Sequence, residues 1–251
     1  MTSGAVVRAA DVHADRTATG ASVRTLLGAG SDVPCLSRRL VDVPPQSQFE
    51  GIAGTAGELW FVIDGTGQLD VDDHPGLSLR PDAGVWIPPG SRFRLNADGP
   101  ADLRVDAVSL PAASLPAAIG PPGHRASPAQ PGSPLARDLC DCEVETTGDR
   151  QFRVLFGPRR DCSVATQFAG EIPPGRAPDH SHPYDELVLV LEGDGVLHLD
   201  GTDHVVTAGT CAHLPPGKLH CMENTGTTTM RVLGVFHPAD SPAAKTQVDQ
   251  P

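Results

Sequence analysis

Lysine is almost missing from this chain, with only Lys218 and Lys245 among 251 residues. Counting arginine, 19 basic residues face 31 acidic ones, for a formal charge of -12. Nucleic acid and anionic membrane surfaces both require a basic face, so neither is expected as a partner. A DNA-binding helix-turn-helix region is lacking too. No apolar run approaches the length of a membrane span. The first twenty residues carry charges and no apolar signal-peptide core. Cys35, Cys140, Cys142, Cys162, Cys211 and Cys221 show no disulfide-framework spacing, which points to reduced thiols and a cytoplasmic location. Aromatic residues make up 4%, against 27 glycines and 25 prolines. That balance suits an all-β chain of many short strands joined by turns.

What is present follows this rhythm from Ser37 onward. Arg39-Leu-Val-Asp-Val43 alternates until Pro44-Pro45, and Glu58-Leu-Trp-Phe-Val-Ile-Asp-Gly65 is an apolar strand ending in a glycine turn. Gly67 to Val71, Val85 to Ile87 and Asp102 to Val108 continue the series, with Asp72 to Gly76 as a turn. Before Ser37 the signals are weak, with a short strand expected at Val23–Leu27. Between Leu110 and Arg137 seven prolines sit among alanine, serine and glycine. Proline removes ladder donors, so a semi-extended linker is expected, with one helical turn at Leu115–Ile119. The β pattern resumes from Phe152 to Phe236, with tight hairpins expected at Asp194-Gly195 and Asp200-Gly201.

The two β blocks repeat each other. Glu58-Leu-Trp-Phe-Val-Ile-Asp-Gly65 matches Glu186-Leu-Val-Leu-Val-Leu-Glu-Gly193 at an offset of 128, and Ile87-Pro-Pro-Gly90 matches Leu214-Pro-Pro-Gly217 at 127. The chain therefore reads as a duplicated barrel: a first unit at 1–110, a linker at 111–138 and a second unit at 139–251.

Chemistry concentrates in the second unit. His180 and His182, two apart, share one face of a strand. Prolines 174, 178 and 183 oppose a helical reading of His182 and Glu186. His220 follows the Pro215-Pro-Gly217 turn, which can carry its ring back toward the first pair. Neutral imidazoles with one carboxylate suit a divalent transition metal and leave positions open for water and substrate. Tyr184 shares the parity of His180, His182 and Glu186, which marks it as a cavity-facing proton donor or a cover for the barrel mouth. Gln167 is a weaker candidate for a substrate contact. His198, His204, His213 and His237 read as hairpin or surface residues, with His213 the nearest to the barrel wall.

These residues resemble the cupin family. Gly175, His180, His182, Glu186 and Gly193 are similar to its first motif, with one residue fewer after the glycine. Gly209, Pro215, Gly217, His220 and Asn224 fit the second at every interval, and the repeat makes the chain resemble a bicupin. The resemblance implies two jelly-roll barrels in tandem, with His180, His182, Glu186 and His220 as ligands inside the second and Asn224 as a turn residue. The first block departs at the ligands. Glu58 is kept, but Ile52 and Gly54, or Gly51 and Ala53, replace the paired histidines, and Phe93 and Ala97 replace His220 and Asn224. Apolar groups do not ligate metal, so this barrel is expected to be metal-free and to act as a docking partner.

One divalent ion (Fe, Mn, Ni, Co or Zn) with three neutral histidines and a carboxylate has a net charge of about +1. It favours an anionic or enolizable small molecule: an enolate, a catecholate or a carboxylate. The expected function is a metal-dependent dioxygenase similar to quercetinase-like cupins, with Glu186 and Tyr184 as catalytic groups. The alternatives are a non-redox isomerase, cyclase or lyase, and a non-catalytic binding or sensing protein. A duplicated cupin is a dimer internally, so the chain is expected as a monomer or a homodimer.

Overall fold

A computed structural model describes residues 4–28, 36–111, 136–243 and 246–247. Cys35, the turn expected at 115–119 and most of the linker lie outside the described residues. Strands dominate what is described; its helical content is two single 3-10 turns, Ala9–Asp11 and Leu139–Asp141. No helix among the described residues is long and apolar enough to cross a membrane.

The all-β expectation holds, and the strands form two antiparallel barrels. In the first, a seven-stranded sheet runs Ala136–Asp138, Ala83–Ile87, Glu58–Asp64, Leu103–Ser109, Ser37–Val43, Ser22–Leu27, Asp15–Arg16. A four-stranded sheet of Gln48–Ile52, Arg92–Ala97, Gly67–Val71 and His74–Leu79 accompanies it. In the second, the seven-stranded sheet runs Ala5–Arg8, Thr210–Leu214, Asp185–Glu192, Met230–His237, Thr166–Ile172, Arg150–Phe156, Glu145–Thr147. The smaller sheet there is built on Asp194–Leu199 and His220–Asn224, with Thr202–Thr207, His180–Ser181 and Gly175–Arg176 alongside.

Each large sheet takes its first strand from the other half of the chain. Ala5–Arg8 pairs with Thr210–His213 of the second barrel, and Ala136–Asp138 pairs with Ala83–Val85 of the first. In both places a 3-10 turn follows the exchanged strand. The repeat therefore reaches beyond the residues in which it is legible as sequence.

The long apolar runs at Glu58 and Glu186 are explained by burial on both faces of one strand. Successive side chains point to opposite sides of a sheet. Trp60 and Val62 face the interior of the first barrel, while Leu59 and Phe61 face a core between the barrels. In the second barrel Val188 and Val190 point inward, and Leu187 and Leu189 meet Leu59 and Phe61 in the shared layer. That layer also takes in Val108, Leu155, Phe156, Leu233 and Val235, which ties the two barrels through a common apolar core. Each run ends at a corner glycine with positive φ, Gly65 at 80° and Gly193 at 92°. A Cβ at Gly65 would strike the Asp102 carbonyl.

One charged pair is sealed inside the shared layer. Arg38 and Asp106 are both fully buried, with Nε 3.1 Å from Oδ1. Arg38 also donates across the layer through Nη2 to the Leu233 carbonyl at 3.3 Å and through Nη1 to Cys211 Sγ at 4.0 Å. Burial pushes the Asp106 carboxyl up to about 6, against the pull of Arg38.

Two turns differ in kind from one another. Asp200-Gly201 closes a two-residue hairpin with both residues at positive φ, 49° and 79°, as a type I′ turn requires. Asp194-Gly195 does not: the strands around Gly193 belong to different sheets, so the chain turns a barrel corner there.

Candidate metal centre

The two ligand clusters meet through sheet register. The strands His180–Ser181 and His220–Asn224 run antiparallel, with His180 and His220 as direct partners. Opposed residues have Cβ atoms about 5 Å apart, enough to bring two rings into contact. Their ring centroids lie 4.6 Å apart, and His182 joins at 4.9 Å from His180 and 5.0 Å from His220. One ligand atom from each of the three lies within 4.8 Å of the others, and all three residues are buried. Glu186 enters from the large sheet, also buried, with Oε2 3.6 Å from His182 Nε2.

The hydrogen bonds of the rings fit a metal. His180 Nδ1 lies 3.3 Å from the Pro178 carbonyl, and His220 Nδ1 lies 2.9 Å from the Lys218 carbonyl. A carbonyl only accepts, so Nδ1 carries the proton in both rings and Nε2 carries the lone pair, the pattern of ligating histidines. His182 Nδ1 lies 3.0 Å from the Tyr184 hydroxyl, which donates to the Ser241 carbonyl at 3.5 Å. In the same tautomer His182 donates to Tyr184 and directs its Nε2 lone pair toward the Glu186 carboxylate. Donor atoms of these kinds turned toward one another suit a shared cation.

Tyr184 borders the cavity with its ring sandwiched between two others. Its ring stacks on His182 at 4.7 Å and on Phe236 at 4.1 Å. Burial, with the Glu186 and Asp240 charges adding, pushes its phenol well above the ordinary range.

Beside the donors lies a cavity of about 100 Å³. Its walls are mainly apolar, with Phe168, Ile172, Val188 and Met222 among them, and Thr147, Arg150, Gln151 and Pro242 also border it.

Other candidates lie elsewhere. Gln167 faces the layer between the barrels, where Nε2 donates to the Trp60 carbonyl at 3.3 Å, and it does not line the cavity. His213 is fully buried, which its reading as a hairpin or surface residue did not anticipate, and it pairs with Asp185 at 2.8 Å. His198 sits between Asp203 and Glu223 at 2.6 and 2.8 Å. Asn224 is a turn residue: its amide donates to the Ile172 and Thr228 carbonyls, both at 2.8 Å, and its oxygen accepts from Gly226 N–H. Cys221 directs Sγ to the Ala177 carbonyl. The five described cysteines are free thiols.

The first barrel fills the same place differently. Phe93 pairs with Gly51, as His220 pairs with His180, so Gly51 and Ala53 stand where the second barrel has its two histidines. Ile52 points outward at 58% exposure. A Cβ on Gly51 would come within 2.7 Å of Phe93, whose ring stands edge-on to Trp60 at 4.8 Å. The retained Glu58 is buried and bound by Arg39 at 2.9 Å, Trp60 Nε1 at 2.7 Å and Ser109 at 3.1 Å. Arginine supplies the positive charge that a metal would supply to Glu186.

Comparison with known proteins agrees with this architecture. The family described as "Cupin domain" matches residues 169–236. The oxalate-binding protein of Thermotoga maritima is 36% identical over 68 residues, 26% of this chain and 56% of that protein. The HTH-type transcriptional activator RhaS of Escherichia fergusonii is 31% identical over 72 residues, 29% of this chain and 25% of that protein. The matches thus span about half and a quarter of these curated relatives. Oxalate decarboxylase of Bacillus subtilis superposes with a TM-score of 0.75 at 15% identity, over 99% of this chain and 80% of that one. Residues 169–236 thus carry a cupin domain, and both halves of the chain take the same barrel fold.

Proposed function

We propose that the second barrel binds one divalent transition metal through His180, His182, Glu186 and His220 and transforms a small organic acid there. The observation that carries this reading is the cluster of three buried imidazoles, their ligand atoms within 4.8 Å of one another, beside a mainly apolar cavity, with the buried Glu186 carboxylate 3.6 Å from His182. A divalent ion in that position supplies a Lewis acid and, if redox-active, a path for electrons.

The chain's own residues have distinct parts. Tyr184 is a positioning residue: its hydroxyl holds His182 Nδ1, and its raised phenol stays protonated at neutral pH. Glu186 is the group with a basic oxygen next to the donors and is the one suited to take up a substrate proton. The apolar wall keeps water away from the reacting atoms. In this reading the chain divides into a ligand-free unit at 1–110, a connecting segment at 111–138 and the metal-binding unit at 139–251, with edge strands exchanged between the two barrels. The first barrel is the docking partner.

The reaction we favour is oxidation by dioxygen, supported by the apolar wall, into which an apolar gas partitions. A non-redox lyase or isomerase is the second reading, supported by the fold likeness to oxalate decarboxylase. Purified protein is expected to hold about one metal equivalent per chain, and His220→Ala to lose most of it. Unchanged metal content in that variant, or two equivalents in the parent, would refute the assignment. An oxygen-electrode screen of small organic acids then separates the reactions. Uptake coupled to turnover selects the oxygenase, anaerobic turnover selects the lyase, and tight binding without turnover leaves a binding protein.

A further inference from the structure

A second polar group borders the cavity on a hairpin that carries none of the histidines. The strands Glu145–Thr147 and Arg150–Phe156 are joined through Gly148 and Asp149, with Gly148 at a positive φ of 63°. A glycine at the first central position is what a type II′ turn requires, and the turn sets Thr147 directly opposite Arg150. Arg150 shares its face of the strand with the buried Phe152, and Thr147, Arg150 and Phe152 all border the cavity. Gln151, on the other face and exposed, stands at its rim. Arg150 donates through Nη2 to the Met222 carbonyl, which uses one of the five guanidinium N–H groups. Among the described residues it enters no ion pair, whereas Glu171 nearby is paired with Arg153 at 2.9 Å. Met222 is two residues beyond His220 on one strand, so the carbonyl that Arg150 holds is about 7 Å along from a ligand position. The rest of the wall is mainly apolar, with Phe168, Met222 and Val232 in it.

We propose that Arg150 is a second anion-binding point and that the site takes a dicarboxylate with a short methylene spacer. This rests on the metal-site reading above. One carboxylate binds at the metal position and the other meets Arg150, with Thr147 beside it, while the methylenes lie against Phe168 and Met222. A guanidinium offers a carboxylate two parallel N–H donors, which fixes the far end of the ligand as well as its charge. Oxalate is too short to use both points, because its carboxyl carbons are one bond, about 1.5 Å, apart. A spacer of about two or three methylenes lengthens the reach to roughly 4–5 Å, and a metal–oxygen bond and a hydrogen bond supply the rest.

The test is calorimetric binding to full-length protein loaded with Zn(II), a redox-silent ion. Zn(II) uptake is measured first for every variant, which reports an intact site independently of Arg150. Valerate and glutarate have equal chain length and differ in a methyl against a carboxylate at the far end. Glutarate should bind about 10-fold more tightly than valerate. Arg150→Met keeps the reach of the side chain and should reverse that order, because the far carboxylate then loses water without gaining a cation. Arg150→Lys keeps the charge and should keep glutarate ahead. Oxalate should bind the parent and Arg150→Met alike. Valerate binding as tightly as glutarate in the parent, or glutarate keeping its lead in Arg150→Met, overturns the inference and leaves the metal site standing. Protein that takes up no Zn(II) overturns the metal-site reading, and this inference falls with it.

Discussion

The Arg38–Asp106 pair makes the most demanding claim on the energetics of this fold. At 3.1 Å and an effective dielectric constant of about 20, the attraction is about 5 kcal/mol. Burial outweighs it, because the Asp106 carboxyl is pushed up from 3.8 to about 6. That rise corresponds to about 3 kcal/mol. Its sign follows from linkage: the native protein holds the Asp106 proton more tightly than the unfolded chain does. The group's contribution is therefore full below pH 3.8 and is lost as pH rises through 6. Removing one partner strands the other. Asp106→Asn leaves a guanidinium that cannot discharge and should cost about 3–5 kcal/mol at pH 8, and clearly less at pH 5, where Asp106 is already largely protonated. Arg38→Met leaves a carboxylate that can take a proton, so its cost should be of that size at pH 8 and clearly smaller at pH 5. The double variant Arg38→Met, Asp106→Leu should recover the parent stability or exceed it by about 1–4 kcal/mol. Urea unfolding of the four proteins at both pH values completes the cycle. If the single variants cost under about 1 kcal/mol, or the double variant is no better than the worse single one, the pair is not the isolated buried charge pair described here.

Three further outcomes follow from other parts of the molecule. Tyr184→Phe should fold normally and weaken metal binding about 10-fold by removing the hydroxyl from His182 Nδ1; chelator competition measures this, and unchanged affinity contradicts the positioning role. Phe93→Ala, in the aromatic core of the first barrel, should lose about 3–5 kcal/mol of stability while metal content per chain stays the same. Leu187→Ala opens the layer shared by both barrels and should cost about 2–5 kcal/mol. Because that layer is common, unfolding should remain a single transition by calorimetry, and two separated transitions would argue against a common core.

Much of this arrangement is legible in the chain because its strongest signals are local. The Pro-Pro-Gly turns at Pro88 and Pro215 and the apolar runs from Glu58 and Glu186 carry their own stereochemistry. A duplication shows wherever both copies keep it. His180 and His182 announce a shared face by their spacing alone. Other features depend on partners far away in sequence. His180–Ser181 and Gly175–Arg176 are two residues each, too short to alternate, and exist by pairing with His220–Asn224. Gln167 has the right strand and the wrong face, which only the packing of the first barrel against the second decides. The choice between Gly51 with Ala53 and Ile52 with Gly54 needed the register of Phe93. Ala5–Arg8 gives no local hint of its strand partner in the other barrel.

That last feature has a bearing on how the two halves could ever part. The piece of chain ending at residue 111 carries an edge of the barrel that the other piece builds, and the piece starting at 136 carries an edge of the first. A protease cut between those positions would sever the covalent connection and leave both handshakes in place. The fragments should co-purify, and either one made alone would display a sheet missing its outermost strand. The half that lacks the clustered histidines is thus bound to the half that has them by geometry as well as by peptide bonds.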